Sequence, residues 1–222
     1  MELRIEEEAR ELGIFLFLRE IDDVEVKQDN NIEEKLKEIE IRYSNINPDS
    51  LKEDPIVKAY REFYWRIGVD PTKIRPSGEA LRRRIARGNK LPRINNIVDA
   101  GNIASVVTLV PIGIYDKGKI IGNLRIKLSN GEEFLPIGAD KAERVPKGMP
   151  ILVDEENKVI HLYPHRDSSL TKVTENTKAL LIISAGVPFI DRNLVKEALL
   201  LVSELIKLSC PNAKFGDIVE VR

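Results

Sequence analysis

Asn95, Asp99 and Asn102 interrupt an otherwise apolar run, "INNIVDAGNIASVVTLV", at spacings of four and three residues. In a helix this stacks three short polar side chains on one face, where they either line a pocket or fasten the helix to a neighbouring loop. Asn95 or Asn96 supplies the helix cap. Gly101 and Gly113 leave backbone open to a ligand or to a close-packed neighbour. A second polar group, Arg166, Asp167 and Ser168, follows Pro164 at a strand end. An arginine beside a carboxylate there can grip an α-amino ester or a ribose, or can close on itself as a salt-bridged turn. Thr171 and Thr174 add hydroxyls that can hold a water or a substrate, or can simply face solvent.

Other chemistries are missing. The chain carries no G-x-x-x-x-G-K-[ST] phosphate loop, no G-x-G-x-x-G fingerprint and no G-x-S-x-G elbow. His161 and His165 lie four apart across Tyr163 and Pro164, with no third ligand in view, so they read as solvent-facing or pocket-edge side chains and no metal site is expected. Cys210 is the only cysteine, which excludes an internal disulfide and any cysteine-based metal framework. With no catalytic partner near it in sequence, it reads as a buried or idle thiol.

The net charge of -1 hides an asymmetry. Residues 1–62 hold 18 acidic against 10 basic side chains, whereas residues 73–93 hold eight lysines and arginines against Glu79 alone. One basic segment on a near-neutral protein suits a polyanion touched at one place. Arg82, Arg83 and Arg84 point in directions about 100° apart, so they cannot serve one surface, whereas Arg83 and Arg87 share a helical face and can meet phosphates. No apolar stretch reaches the roughly 18–20 residues of a membrane span. The acidic start "MELRIEEEAR" does not read as a signal peptide. A single glutamine, Gln28, among many Glu, Lys and Ile residues points to a high-temperature cytoplasm.

The elements that must position these groups follow from periodicity. "GIFLFLREI" reads as a buried strand, and "NNIEEKLKEIEIRYS" as a helix with Ile32, Leu36, Ile39 and Tyr43 inward. Pro55 opens a helix over roughly 55–67. Ser77 is expected to cap the next one, which Gly88 closes, and the Asn-Asp-Asn face falls on a helix over about 97–109. Beyond Pro111 the texture turns to β. Asn130-Gly131 signals a hairpin, and "MPILVDEENKVIHL" reads as strand, turn at Asn157, strand. "KALLIISAG" is a further buried strand. Asp191 caps a last amphipathic helix with Leu194, Ala198, Leu201, Val202, Leu205 and Leu208 inward. The expected class is α+β: helices first, then a mixed, largely antiparallel sheet, then a packing helix.

From Asn95 to Gly138 the chain resembles the B3/B4 domain of the phenylalanyl-tRNA synthetase β subunit. That family places an N-x-x-V-D-x-x-N helix before a P-x-x-x-[FY]-D strand, followed by a G-x-[IL]-x-[IV]-[RK] strand and a GE turn. Asn95 (or Asn96), Val98, Asp99, Asn102, Pro111, Tyr115, Asp116, Gly122, Leu124, Ile126, Lys127, Gly131 and Glu132 match in order. "VTENT" (Val173 to Thr177) resembles a later motif, so the likeness covers about residues 90–185. The lead-in "WRIGVDPTKIRPSGEALRRRIARGNKLPRINNIVD" is similar to free-standing B3/4 proteins.

The resemblance implies a B3/4 core over 71–222 and an N-terminal α/β portion, 1–70, of the same compact unit. It implies hydrolysis of a mischarged aminoacyl-tRNA by an oriented water, acting in trans, because 222 residues leave no room for a synthetase catalytic module. The expected partner is the aminoacylated 3′ end of a tRNA. No DNA, membrane, metal or cofactor is implied. On this reading Asp99 and Asn102 frame the pocket, Arg166 and Asp167 orient the charged 3′ end, Asn96, Gly101, Gly113, Ser168, Thr171 and Thr174 touch substrate, and Arg83 and Arg87 touch RNA. Two positions depart from the family: Gly101 stands where bacterial synthetases carry threonine, and Gly113 where they carry histidine. Both changes imply a roomier or more neutral pocket and a different amino-acid ester. The alternative is a non-catalytic module that binds tRNA or a free amino acid.

Overall fold

The run from Phe15 to Leu18 has no charged residue on either face, which suits a strand covered on both sides. In the computed structural model, which describes residues 1–222, it lies in the interior of a sheet. The chain begins with β1 (Leu3–Ile5), α1 (Glu7–Arg10), β2 (Phe15–Asp22), α2 (Asn30–Tyr43), α3 (Pro55–Arg66), α4 (Ser77–Ala86) and α5 (Asn96–Thr108). The β-rich stretch holds β3 (Ile112–Asp116), β4 (Leu124–Leu128), β5 (Glu133–Phe134), β6 (Glu143–Arg144), β7 (Pro150–Val153), β8 (Val159–Leu162), β9 (Arg166–Asp167) and β10 (Ala179–Gly186). Then come α6 (Arg192–Ser209), β11 (Lys214–Phe215) and β12 (Val219–Val221).

Two five-stranded sheets and a two-stranded β5-β6 ribbon form where one sheet was expected. The first runs β1-β4-β7-β8-β9, and the second runs β11-β2-β10-β3 with β12 also on β2. Only the β1–β4 pair is parallel. The second sheet positions the site. β2 and β10 pair along eight residues, from Phe15 opposite Gly186 to Asp22 opposite Ala179, and β3 pairs with the other edge of β10. α5 packs on β3 and α6 on β10 and β2, so two apolar helices cover this sheet.

Local chemistry explains most element boundaries. Asp29 accepts the N–H groups of Asn31 and Ile32, Asp54 that of Ile56, and Asp191 that of Asn193, each satisfying donors that a helix start leaves free. Asn157, at φ 61°, turns β7 into β8 as expected. Three expectations are corrected. Asn130-Gly131 does not join a hairpin: β4 pairs with β7, and β5 pairs with β6. The turn is instead a self-contained loop in which Glu132 accepts from Ser129 Oγ and the Asn130 N–H. Ser77 is the first residue of α4, not its cap, and its hydroxyl is buried without a partner. The next residue, Gly78, sits so close to α5 that a Cβ there would stand 2.6 Å from the Ser105 carbonyl oxygen. Along α6 the expected Ala198, Val202 and Leu205 are buried, joined by Val195, Leu199 and Ile206, whereas Leu194 and Leu201 are half-buried and Leu208 is 46% exposed.

Candidate functional site

α5 is anchored at its start by two adjacent asparagines with different jobs. Asn95 is the cap, accepting the N–H groups of Ile97 at 3.1 Å and Val98 at 2.9 Å. Asn96 points the opposite way and is buried. It accepts from Lys27 N–H at 2.9 Å and donates to the Glu25 carbonyl at 2.9 Å and to Ser209 Oγ at 3.1 Å. Its amide is consumed by the links to the chain after β2 and to the end of α6, so Asn96 is an internal tie where a substrate contact was expected. Cys210 belongs to the same knot and donates to the Glu25 carbonyl.

One turn on, Asp99 is 3% exposed, and both its oxygens stand 3.1 Å from the Ile94 N–H. Burial pushes its carboxyl up to about 6, against the opposing pull of that N–H and of Arg93. Asp99 therefore braces the loop ahead of α5 and is absent from the cavity beside it.

That cavity, of about 220 Å³, opens between α5, β3 and the end of the first sheet. It is lined by Val98 and Gly101 from α5, by Ile112 and Ile114 from β3, and by Ile94, Ile137 and Val173. Three polar side chains reach it: Asn102 from α5, Asp167 from β9 and Lys172 just beyond. Asn102 is half-buried and Lys172 exposed. Of the residues expected at the site, the fold brings Gly101, Asn102 and Asp167 together here. Lys172 and the aliphatic wall escaped the sequence reading, because a lysine in a loop and isoleucines in a strand carry no signature of their own.

Asp167 is held from behind. His161 Nδ1 lies 2.8 Å from its Oδ1, and the edge-on rings of His161 and Tyr115 stand 6.1 Å apart. Burial, then the charge of Asp167, pushes the Tyr115 phenol well above its ordinary range. Gly113 is required here for a reason unrelated to ligand: the Tyr115 hydroxyl occupies the place where a Cβ would be. Gly101 is likewise filled, since a Cβ would meet Ile114 Cδ1 at 2.7 Å. The roomier pocket expected from these two glycines is thus corrected: protein side chains take up both vacancies.

The remaining expected residues have other partners. Arg166 turns to Glu143, at 2.6 Å, and lies over the Phe134 ring. Ser168 is buried and caps the next turn by accepting the Leu170 N–H. Thr171 is fully buried with its hydroxyl unpartnered, and the backbone of Thr174 bonds Thr177 Oγ1. Thr177 in turn donates to Asp116 at 2.8 Å, which gives the "VTENT" segment a structural task at the end of β3. His165 lies against Tyr64, ring centroids 5.6 Å apart, and burial lowers it to about 3. Arg83 is 9% exposed and donates to the Pro48 carbonyl and, at 2.8 Å, to Asp49. Of the pair assigned to RNA, only Arg87 is exposed.

A family model described as the B3/4 domain matches residues 59–210. The phenylalanine–tRNA ligase beta subunit of Methanococcus vannielii is 33% identical over 109 residues, covering 40% of this chain and 19% of that protein. Its counterpart from Malacoplasma penetrans is 29% identical over 127 residues, covering 57% and 16% respectively. The chain thus spans less than a fifth of the length of these relatives. Among solved structures, an N-terminal fragment of the phenylalanyl-tRNA synthetase beta subunit from Pyrococcus horikoshii shares the fold. Its TM-score is 0.51 at 15% identity, over 99% of this chain and 53% of the fragment.

Proposed function

The chain belongs to the B3/4 domain family, and on that premise we propose that it is a cytoplasmic, trans-acting hydrolase of aminoacyl-tRNA esters. The observation that carries the reading is the cavity, where Asn102, Asp167 and Lys172 surround an aliphatic wall. An aminoacyl ester has the matching chemistry: a carbonyl oxygen for Asn102 or Lys172 and an apolar side chain for the wall, with Asp167 left to take the proton of the attacking water. In the hydrolytic step a water gives its proton to Asp167 as its oxygen bonds the ester carbon. The ester C–O bond then breaks, and the proton returns to the departing ribose oxygen, leaving a free amino acid and an uncharged 3′ end. His161 holds Asp167 Oδ1 at 2.8 Å, which leaves Oδ2 for the water. No helix is long and apolar enough to cross a membrane. The exposed Lys172 and Arg87 are candidate phosphate contacts, so tRNA affinity should fall steeply with added salt.

The test is incubation with a panel of misacylated tRNAs, following loss of the ester. Turnover that falls about 100-fold or more in Asp167→Asn supports the reading. Binding of charged tRNA without turnover favours the second reading, a non-catalytic tRNA or amino-acid binder.

A further inference from the structure

Apart from Gly101 and its three polar side chains, the cavity is lined by aliphatic residues alone, among them Val98, Ile112, Ile114 and Val173, none of which carries a hydrogen-bonding side-chain atom. On the hydrolytic reading the three polar side chains at the cavity serve the ester carbonyl and the attacking water, which are common to every aminoacyl ester. We propose that the site selects esters of branched aliphatic amino acids over tyrosine, and that Ile114 sets this preference. The inference rests on the ester-recognition reading above but commits to a substrate class that the reading leaves open.

The argument is one of unmet hydrogen bonds and of space. A phenol pushed against this wall leaves its hydroxyl without a partner, whereas an isoleucyl or leucyl group replaces cavity surface with aliphatic contact alone. Ile114 controls the space because its tip fills the site over Gly101: its Cδ1 stands 2.7 Å, and its Cγ1 3.5 Å, from where a Cβ would be. Gly101 and Ile114 act as a complementary pair, one giving up a side chain to seat the other. Ile114 is half-buried and lines the cavity from β3, so shortening it widens the pocket.

The experiment measures two quantities on the intact protein. One is hydrolysis of tRNAs carrying valine, isoleucine, leucine, phenylalanine or tyrosine. The other is affinity for the corresponding 3′-aminoacylamino-3′-deoxyadenosine amides, which cannot be hydrolysed as esters. The expected result is at least about a 10-fold preference for isoleucine or leucine over tyrosine, on the scale a hydrophobic pocket discriminates. Ile114→Ala should move the ratio towards phenylalanine by a similar factor, with Ile114→Leu as a control that keeps the volume. If the amides show the aliphatic order while no ester is cleaved, the inference stands and the hydrolytic reading fails. If esters are cleaved with tyrosine preferred, the hydrolytic reading stands and the inference is overturned. Equal affinity for all the amides, or an Ile114→Ala variant with unchanged order, also overturns it.

Discussion

At the scale of single residues, the polar face that opened the sequence reading splits into distinct tasks, and two predictions separate them. Asp99 carries a buried carboxyl whose folded-state value of about 6 lies above its ordinary 3.8. The folded protein therefore holds that proton more tightly than the unfolded chain does. Below pH 3.8 the group costs nothing; its penalty grows as pH rises from about 4 to 6 and is complete above, where it amounts to about 1–3 kcal/mol. Asp99→Asn keeps an acceptor for the Ile94 N–H and removes the charge. It should raise stability at pH 7 by about that amount and change it little at pH 4, read from urea midpoints at the two values. An offset that is the same at both pH values would show that burial of this carboxylate carries no such cost. The two arginines assigned to RNA separate by burial. Arg83→Ala strips donors from Asp49 and the Pro48 carbonyl and should cost about 1–3 kcal/mol, whereas Arg87→Ala, on an exposed side chain, should stay within about 0.5 kcal/mol. Thermal melts of the two variants check the contrast, and a neutral Arg83→Ala would contradict it.

At the scale of elements, what was legible in the sequence was local and what was not was long-range. The strand at Phe15, the turn at Asn157 and the start of the last helix at Asp191 were readable because each is set by neighbours in sequence: an apolar run, a residue that tolerates positive φ, a side chain that reaches the next turn's N–H. The hairpin expected at Asn130-Gly131 failed because a turn signal says only that the chain reverses; the partner of β4 lies twenty-odd residues on, at β7. The cavity was half legible for the same reason. Asn102 and Gly101 share a helix with recognisable spacing, whereas Ile112, Ile114 and Lys172 enter only once β3 and the chain after β9 have folded beside it. Asn96 shows how a local reading can choose the wrong member of a pair. Either asparagine could cap α5, and only the fold reveals that Asn96 ties three separated segments. Asn96→Ala should therefore cost more than Asn95→Ala: about 2–3 kcal/mol for orphaning the buried Ser209 hydroxyl and the part-buried Lys27 N–H and Glu25 carbonyl, against about 1 kcal/mol for a lost cap. Equal denaturation midpoints for the two variants would remove Asn96 from this role.

At the scale of the whole molecule, the region matched by the family and the region that folds are different lengths of chain. The family match ends at residue 210 and begins at residue 59, so it omits β1, β2, β11 and β12. Yet β2 occupies an inner position of the second sheet, bonded along eight residues to β10 on one edge and to β11 and β12 on the other. Phe15, Leu16, Phe17 and Leu18 are all at most 6% exposed, and their side chains belong to the same core as β10 and α6. Removing residues 1–58 would strip β10 of its partner along one full edge and uncover the face of α6 that packs on β2. An apolar strand left with an open edge pairs with whatever it meets, usually another copy of itself. A fragment of residues 59–210 is therefore expected to aggregate or to lack a cooperative transition, whereas the 222-residue chain melts cooperatively. Adding residues 1–58 back as a separate chain should restore solubility if β2 can insert beside β10. A fragment of 59–210 that stays monomeric and melts cooperatively by itself would show that the matched region is a domain in its own right, with the N-terminal strands an attachment to it and not part of its core.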